Sequence, residues 1–297
     1  MPVTPADAEQ ESFRQAREDG VAERGLRGPV MRSAAALAIL ILAACAHQPA
    51  TGVTAVRGAT TEPTAAAVTA SGVVDTGTVA ALTRMGALVR SLPAFQVIAR
   101  ITQDEVLATG QAVQYGAVAN LVVRRPDRLR VEVLGDRQDR LMLYDGQRFT
   151  VFTGRSNSYA TVPAPGTLPE LVKRLDHTYD VEVPLAELFA WGTDASRLTD
   201  VSTAIDLGVG VVEGVICRHY AVRGPGVDWQ VWIRREDLPL PRKLVVTALR
   251  NEARPQYTAI LSWNLTPALN DDVFTFDPPP GAQLVLAADR TPGIPGH

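Results

Sequence analysis

Two kinds of apolar repeat alternate along this chain and predict its helices and strands. Apolar residues recur at helical spacing over residues 79–92 and stop at Pro93, which predicts an amphipathic helix capped by Asp75 or Thr76. Over residues 95–162 the period changes to two, which is typical of antiparallel strands. In residues 128–133 charged and apolar side chains alternate, so one face of that strand is predicted to be wet and the other covered.

Helical spacing returns between residues 165 and 203. One short stripe is formed by Leu168, Leu171 and Leu175, and a second follows Pro184 at residues 185–191. Neither helix is long enough to be stable alone, so both must pack on another element. Strand patterns resume after this insert, at residues 203–212, 215–222, 227–233, 242–249, 256–263 and 283–286.

The order of these patterns predicts the fold class. Strands that follow one another, with few helices grouped in sequence, favour an antiparallel sheet that has one face covered by the helices. A sheet of about ten or eleven strands is near the size at which twist makes it curl. We therefore expect a mainly β (α+β) domain over residues 78–288, built on a large curved antiparallel sheet that forms a trough.

The segment before this domain has the layout of a secretory signal. Met31 and Arg32 give a short basic start, residues 34–42 are apolar, and Leu42-Ala43-Ala44-Cys45 ends the run. The run is shorter than the roughly 20 apolar residues of a membrane span. Leu-Ala-Ala-Cys resembles the lipobox of bacterial lipoproteins, which implies cleavage after residue 44 and lipidation of Cys45. An ordinary signal peptide with an incidental cysteine, or an uncleaved anchor, is the alternative.

The flanking regions complete the predicted organisation. Residues 1–30 are polar and precede the signal peptide of residues 31–44, so we expect a dubious extension and translation from Met31, although a cytoplasmic tail is the rival interpretation. Residues 45–77 carry the cysteine and little charge, as in a flexible tether that cannot bury enough surface to fold. Residues 289–297 are expected to be a disordered tail.

Composition and motifs exclude several functions. A net charge of -3 and 21% charged residues give no basic footprint, so nucleic acid is not expected as a partner, and we expect a monomer. Cys217 and His219 lie two apart on one face of a strand and could form a nucleophile, but no orienting third group has a recognisable spacing. The histidines are too few for a metal cluster. No cofactor is implied, and we expect no enzyme.

The remaining feature of the sequence is that several predicted strands carry large apolar side chains on both faces. Such strands must be covered on both faces or hold a ligand. The two readings are a core filled by the helices and a cavity between the sheet and the helical insert. The predicted lining of the cavity is Leu129, Val131, Val133, Leu143, Trp229, Val231, Leu244, Val246 and Trp263.

Several motifs carry a family likeness over most of residues 79–286. They are Arg-Pro-Asp-Arg-Leu-Arg at 125–130, Tyr-Asp-Gly at 144–146, Tyr-Ala-Thr-Val-Pro at 159–163, Asp-Trp-Gln-Val-Trp-Ile at 228–233, Leu-Pro-Leu-Pro-Arg-Lys at 238–243 and Phe-Thr-Phe at 274–276. The chain resembles a domain-of-unknown-function family (DUF2092) of predicted periplasmic proteins. The later motifs are also similar to the lipoprotein carriers LolA and LolB, which implies an incomplete barrel closed by a helical plug over a cavity for acyl chains.

Together these observations predict a non-enzymatic lipoprotein of the bacterial envelope, anchored to the membrane by its amino-terminal acyl chains. It would bind a lipid, an acyl chain or a lipidated protein in the apolar trough. Ala46 stands where an aspartate commonly signals retention in the inner membrane, which favours the periplasmic side of the outer membrane. The alternatives are a protein-interaction module without a lipid ligand and a thiol-dependent enzyme built on Cys217.

Overall fold

A single open sheet dominates the computed structural model, which describes residues 72–175, 185, 200–236 and 238–286. The sheet has twelve strands in the order β12-β6-β5-β4-β3-β2-β1-β11-β10-β9-β8-β7. The strands are β1 (Ala94–Val106), β2 (Ala112–Arg124), β3 (Arg128–Gly135), β4 (Asp139–Tyr144), β5 (Arg148–Thr153), β6 (Ser158–Pro163), β7 (Thr203–Val212), β8 (Val215–Gly224), β9 (Val227–Arg234), β10 (Pro241–Ala248), β11 (Gln256–Asn264) and β12 (Gln283–Leu284).

The topology follows from two meanders that meet at β1. Strands β1 to β6 form the first meander, β7 to β11 form the second, and β1 pairs with both β2 and β11. All neighbours are antiparallel except β12, which lies parallel to β6. The expected large antiparallel open sheet is confirmed, with twelve strands rather than ten or eleven, and the strand predicted at residues 283–286 is present as Gln283–Leu284 at the edge.

Helix α1 (Thr76–Ser91) packs on one face of the sheet. The carboxylate of Asp75, one of the two predicted caps, accepts hydrogen bonds from the backbone N–H groups of Gly77 and Thr78. This satisfies two of the unpaired donors at the helix start. At the other end the Arg125 guanidinium donates to the carbonyl oxygens of Val89 and Leu92. The apolar stripe that the helix buries against the sheet is Ala81, Leu82, Met85 and Val89.

Helix α2 (Leu168–Arg174) is the described part of the predicted helical insert. The Glu170 carboxylate accepts from the N–H and the hydroxyl of Thr167, and these bonds lower the pKa of Glu170. Tyr144 donates its phenolic O–H to the carbonyl of Gly166, 2.5 Å away, which fixes the approach to the helix. Most of the second predicted stripe lies outside the described residues, although Leu185 is described and buried.

The two faces of the sheet are covered differently. The inner face, defined by Leu129, Val131 and Val133 of β3, carries the main hydrophobic core together with α1 and α2. The outer face lies opposite. Over the first meander it is covered by the segment of residues 271–286.

Polar and aromatic contacts hold this carboxyl-terminal segment on the outer face. Arg130 donates to the carbonyl oxygen of Val273 at 3.1 Å, and the Arg124 guanidinium lies 5.1 Å from the ring centroid of Phe274, which is buried. The ring of Phe276 contacts Tyr159 and Phe152, with centroids 5.0 and 6.0 Å away. The first meander is therefore covered on both faces.

Several predicted features lie outside the described residues, namely the signal peptide, Cys45, most of the tether and the tail. Of the helices that the structure does describe, none combines the length and the apolar character needed to cross a membrane.

Candidate functional site

Eight of the nine predicted lining residues face the inner side of the sheet, as the strand registers show. Five of them are buried in the main core: Leu129, Val131, Val133, Val231 and Leu244. Trp229, Val246 and Trp263 are half-buried and pack against that core. The inner face is therefore one apolar wall that runs through both meanders.

The assignment of Leu143 to this wall was wrong. Cross-strand partners share a face, and Leu143 pairs with Arg130 and Thr150, which lie on the outer side. Its neighbours Met142 and Tyr144 pair with inner residues and fill the inner positions instead. All of residues 141–144 are apolar or aromatic, so the period-two pattern could not choose the face, and a shift of one residue inverts it.

One half-buried part of the wall is a row across three strands of the second meander, and Val151 and Val162 of the first meander are half-buried on the same face. Trp229 of β9 lies opposite Val246 of β10, which lies opposite Tyr257 of β11. All three side chains are half-buried. The next row, Val231, Leu244 and Ala259, is buried, so the half-exposed apolar surface continues directly into the core. We call Trp229, Val246 and Tyr257 the wall row.

Sequence reasoning missed Tyr257 as a lining residue. The signal was present, because Tyr257, Ala259, Leu261 and Trp263 alternate with polar or outward-facing residues along β11. Trp263, by contrast, lies at the other end of that strand. Its indole N–H donates to the carbonyl of Pro241 at 2.8 Å and its ring lies 5.5 Å from that of Phe95, so it supports the local packing.

Two phenols of the inner face, those of Tyr144 and Tyr220, are held in the neutral form. Burial raises the pKa of Tyr144 and of Tyr220 above their usual value. Near Tyr220 the charged side chains Asp206 and Arg218 form an ion pair with an N–O distance of 2.6 Å. Chemically, the described inner face suits an uncharged, apolar ligand.

Cys217 and His219 both lie on the outer face of β8, as their shared strand face predicted. Cys217 is fully buried, and burial raises the pKa of its thiol, which favours the neutral form. His219 places its Nε2 3.1 Å from the side-chain oxygen of Gln230 and stacks on Trp232, with centroids 3.9 Å apart. Burial lowers the pKa of this imidazole. The contacts with Gln230 and Trp232 hold the imidazole against β9. Burial keeps the thiol of Cys217 protonated.

The described residues contain no group of three or more histidine, cysteine, aspartate or glutamate side chains arranged to hold a metal ion.

Solved structures to which this chain is similar include a mycobacterial lipoprotein and a LolA superfamily protein. The chain is similar to the lipoprotein LppX of Mycobacterium tuberculosis at 13% identity and a TM-score of 0.39, covering 66% of this chain and 100% of that one. For a LolA superfamily protein from Nitrosomonas europaea the identity is 11%, the TM-score 0.32 and the coverage 67% and 97%. For LprF from Mycobacterium bovis the values are 14%, 0.37, 67% and 97%.

Structural similarities with TM-scores this low do not support a functional assignment. The fold is assigned from the sheet described above. Among curated proteins no sequence matches this chain. A family model does match, over residues 78–286, the region to which the motifs from residue 125 to residue 276 had pointed. The chain belongs to the DUF2092 family of predicted periplasmic proteins.

Proposed function

We propose that this protein is a non-enzymatic envelope lipoprotein that binds the acyl chain of a lipid or of a lipidated protein on its inner face. The observation that carries the proposal is the wall row, Trp229, Val246 and Tyr257. It is a half-exposed apolar surface that continues into a buried apolar wall. Apolar side chains that stay partly accessible beside a buried core are a surface on which an apolar ligand can bind.

The free energy available at such a surface is sufficient for an acyl chain. Each methylene group removed from water contributes about 0.8 kcal/mol, so ten of them give about 8 kcal/mol. A free energy of about 8 kcal/mol corresponds to a dissociation constant near 1 μM. The neutral tyrosines add no charge that would oppose an apolar chain.

The proposed location follows from the family and from the amino-terminal motif. The family consists of predicted periplasmic proteins. Lipidation at Cys45 would hold the domain at the membrane, and Ala46 favours the outer membrane. Acyl chains at that position would place the wall row within reach of lipids and of other lipoproteins.

The thiol-dependent alternative is weaker on physical grounds. A nucleophilic cysteine needs an accessible thiolate, whereas burial raises the pKa of Cys217. Cys217 also lies on the face of the sheet opposite the wall row. A buried thiol packed as a small apolar side chain accounts for this position.

The test uses two tryptophans of one strand. Trp229 lies on the inner face of β9 and Trp232 on the outer face. In the mature protein, Trp229→Ala should weaken binding of palmitate and of lysophosphatidylcholine about tenfold, since about 1.4 kcal/mol of apolar contact is lost. Trp232→Ala is the matched control and should bind as the native chain does. Native mass spectrometry of protein purified from envelope extract should also show a bound acyl species.

The proposal fails if the native chain binds neither probe and carries no acyl species. It fails equally if Trp232→Ala, shown by circular dichroism to be folded, weakens binding as much as Trp229→Ala does.

A further inference from the structure

The edges of the sheet are closed by short segments of the chain at two places. The β12 segment pairs with β6, where Gln283 N–H donates to the carbonyl of Asn157 and Val285 N–H to that of Tyr159. At the other edge, Val74 pairs with Ala204 at the start of β7. Short edge strands of this kind protect a sheet from pairing with another chain.

The remainder of β7 is open. Residues 207–212, with the sequence Leu-Gly-Val-Gly-Val-Val, belong to the last strand of the sheet and have no strand on their free side among the described residues. We call residues 207–212 the open edge. Leu207 is 50% exposed, Val209 57% and Val211 67%, and Ile216, the partner of Val211 on β8, is 44% exposed. Within the part of the chain that the structure describes, the open edge therefore has no neighbouring strand for its backbone groups, and its apolar side chains are exposed.

Ion pairs at both ends hold the open edge in place. Asp206 pairs with Arg218 just before it, and a bulge at Leu207 separates that pair from the regular strand. Just after it, Glu213 pairs with Arg242, 2.7 Å away, and with Arg100. A strand fixed at both ends loses little conformational entropy when it binds another strand.

We propose that the open edge is the contact between two copies of this chain, paired antiparallel about a two-fold axis. The open edge contains no charged side chain, so like charges do not meet when it faces itself. With the axis at Gly210, Val209 of each copy lies opposite Val211 of the other. The flanking acids lie outside this paired stretch, because Asp206 precedes the bulge at Leu207 and Glu213, with a φ of +48°, belongs to the turn after β7. An interface of this kind is self-complementary, as two-fold symmetry requires.

The contact is weak in solution and effective on a membrane. A six-residue strand edge buries less than the roughly 1,000 Å² expected of a stable interface. Two domains anchored to one membrane surface, by contrast, meet at a high effective concentration. This step rests on the lipid anchor proposed above: the soluble chain is then a monomer, and the anchored chain pairs.

Cysteine cross-linking of the full chain in its native membrane tests this proposal. Single cysteines are placed at each position from 207 to 212 and, as the matched control, at Leu284, which is 66% exposed on the opposite edge. Directly opposed residues of antiparallel strands have Cα atoms about 4.5–5.5 Å apart, within disulfide range. Oxidation should give a disulfide dimer that peaks at Gly210→Cys, falls on both sides and exceeds the Leu284→Cys level several-fold.

A second pair of variants avoids any change at Gly210, where a new side chain would approach Trp232 at 3.3 Å. Val209→Cys and Val211→Cys, produced together with different tags, should cross-link to each other more than either does to itself. The proposal is overturned if neither experiment exceeds the Leu284→Cys control. A second outcome also overturns it. In that outcome dimers are absent, the Cys45→Ala chain binds phosphatidylglycerol vesicles, and Val211→Asp abolishes this binding. The open edge would then contact the bilayer instead of a second copy.

Discussion

The two meanders of the sheet use similar strands but differ in how they are covered. Helix α1 packs on the inner face of both meanders, because its start bonds to Ala204 of β7 and its end to Arg125, which follows β2. In the first meander, residues 271–286 also contact the outer face. In the second, the wall row is half-exposed on the inner face and the open edge is uncovered at the end of the sheet. We therefore expect the first meander to be the more stable part of the sheet and the second to carry the proposed binding surfaces.

The largest effect that would test this comparison is expected at Phe274, which covers the outer face of the first meander and is 1% exposed. Phe274→Ala should lower the free energy of unfolding by about 3–5 kcal/mol, because a large aromatic contact and its packing are lost. Urea unfolding measures the change. Leu284→Ala, at the exposed edge of the same segment, should stay within about 0.5 kcal/mol of the native protein. Equal, small effects would show that the segment does not support the first meander.

A smaller difference separates two wall residues, one from each meander. Leu129→Ala, at a fully buried position, should cost about 2–5 kcal/mol, whereas Val246→Ala in the half-exposed wall row should cost roughly 1 kcal/mol. Val246→Ala should instead weaken palmitate binding. The urea midpoint and a palmitate titration of both variants give the comparison. A Val246 variant as unstable as the Leu129 variant would remove the distinction between the meanders.

The smallest expected effect is a pH dependence in the second meander. Burial lowers the pKa of His219 below 6.5, so the unfolded chain takes up the proton at a higher pH than the folded chain does. The stability that the neutral imidazole contributes is present above about pH 6.5 and is lost as the pH falls through the folded pKa. Thermal unfolding between pH 7.5 and pH 4.5 should show a shallower loss of stability in His219→Gln. If stability falls equally with pH in the native protein and in His219→Gln, the expected contribution of His219 to the pH dependence is contradicted.

Much of the fold could be predicted from the sequence because the local signals agree with one another. The alternation over residues 128–133 identified the inner positions of β3, and Asp75 caps the helix whose stripe was read from its spacing. Asp-Gly is a pair typical of tight turns, and at this turn Asp145 accepts from the backbone N–H groups of Gln147 and Arg148 while Gly146 has a φ of +89°. Each of these features depends on residues that are neighbours in sequence.

The parts that could not be predicted depend on distant residues. The face of Leu143 is set by the register between β3 and β4, which four successive apolar side chains leave undetermined. The contact of Phe274 with Arg124 joins residues 150 positions apart, and no local pattern indicates which face they share. The family likeness at residues 274–276 included Phe274, but it did not indicate that this side chain covers the outer face of the sheet. The open edge was read only as a strand, since period-two patterns do not reveal which strand ends a sheet.

The carboxyl-terminal cover also constrains the order of events when the protein is made. A chain exported from its amino terminus releases the first meander early, yet the residues that cover its outer face emerge last. Until residue 286 has crossed the membrane, six strands carry uncovered apolar surface, and β1 awaits its partner β11. Such long-range pairing folds slowly and exposes intermediates to aggregation. The first meander is therefore complete only once the last described residues of the chain are available to it.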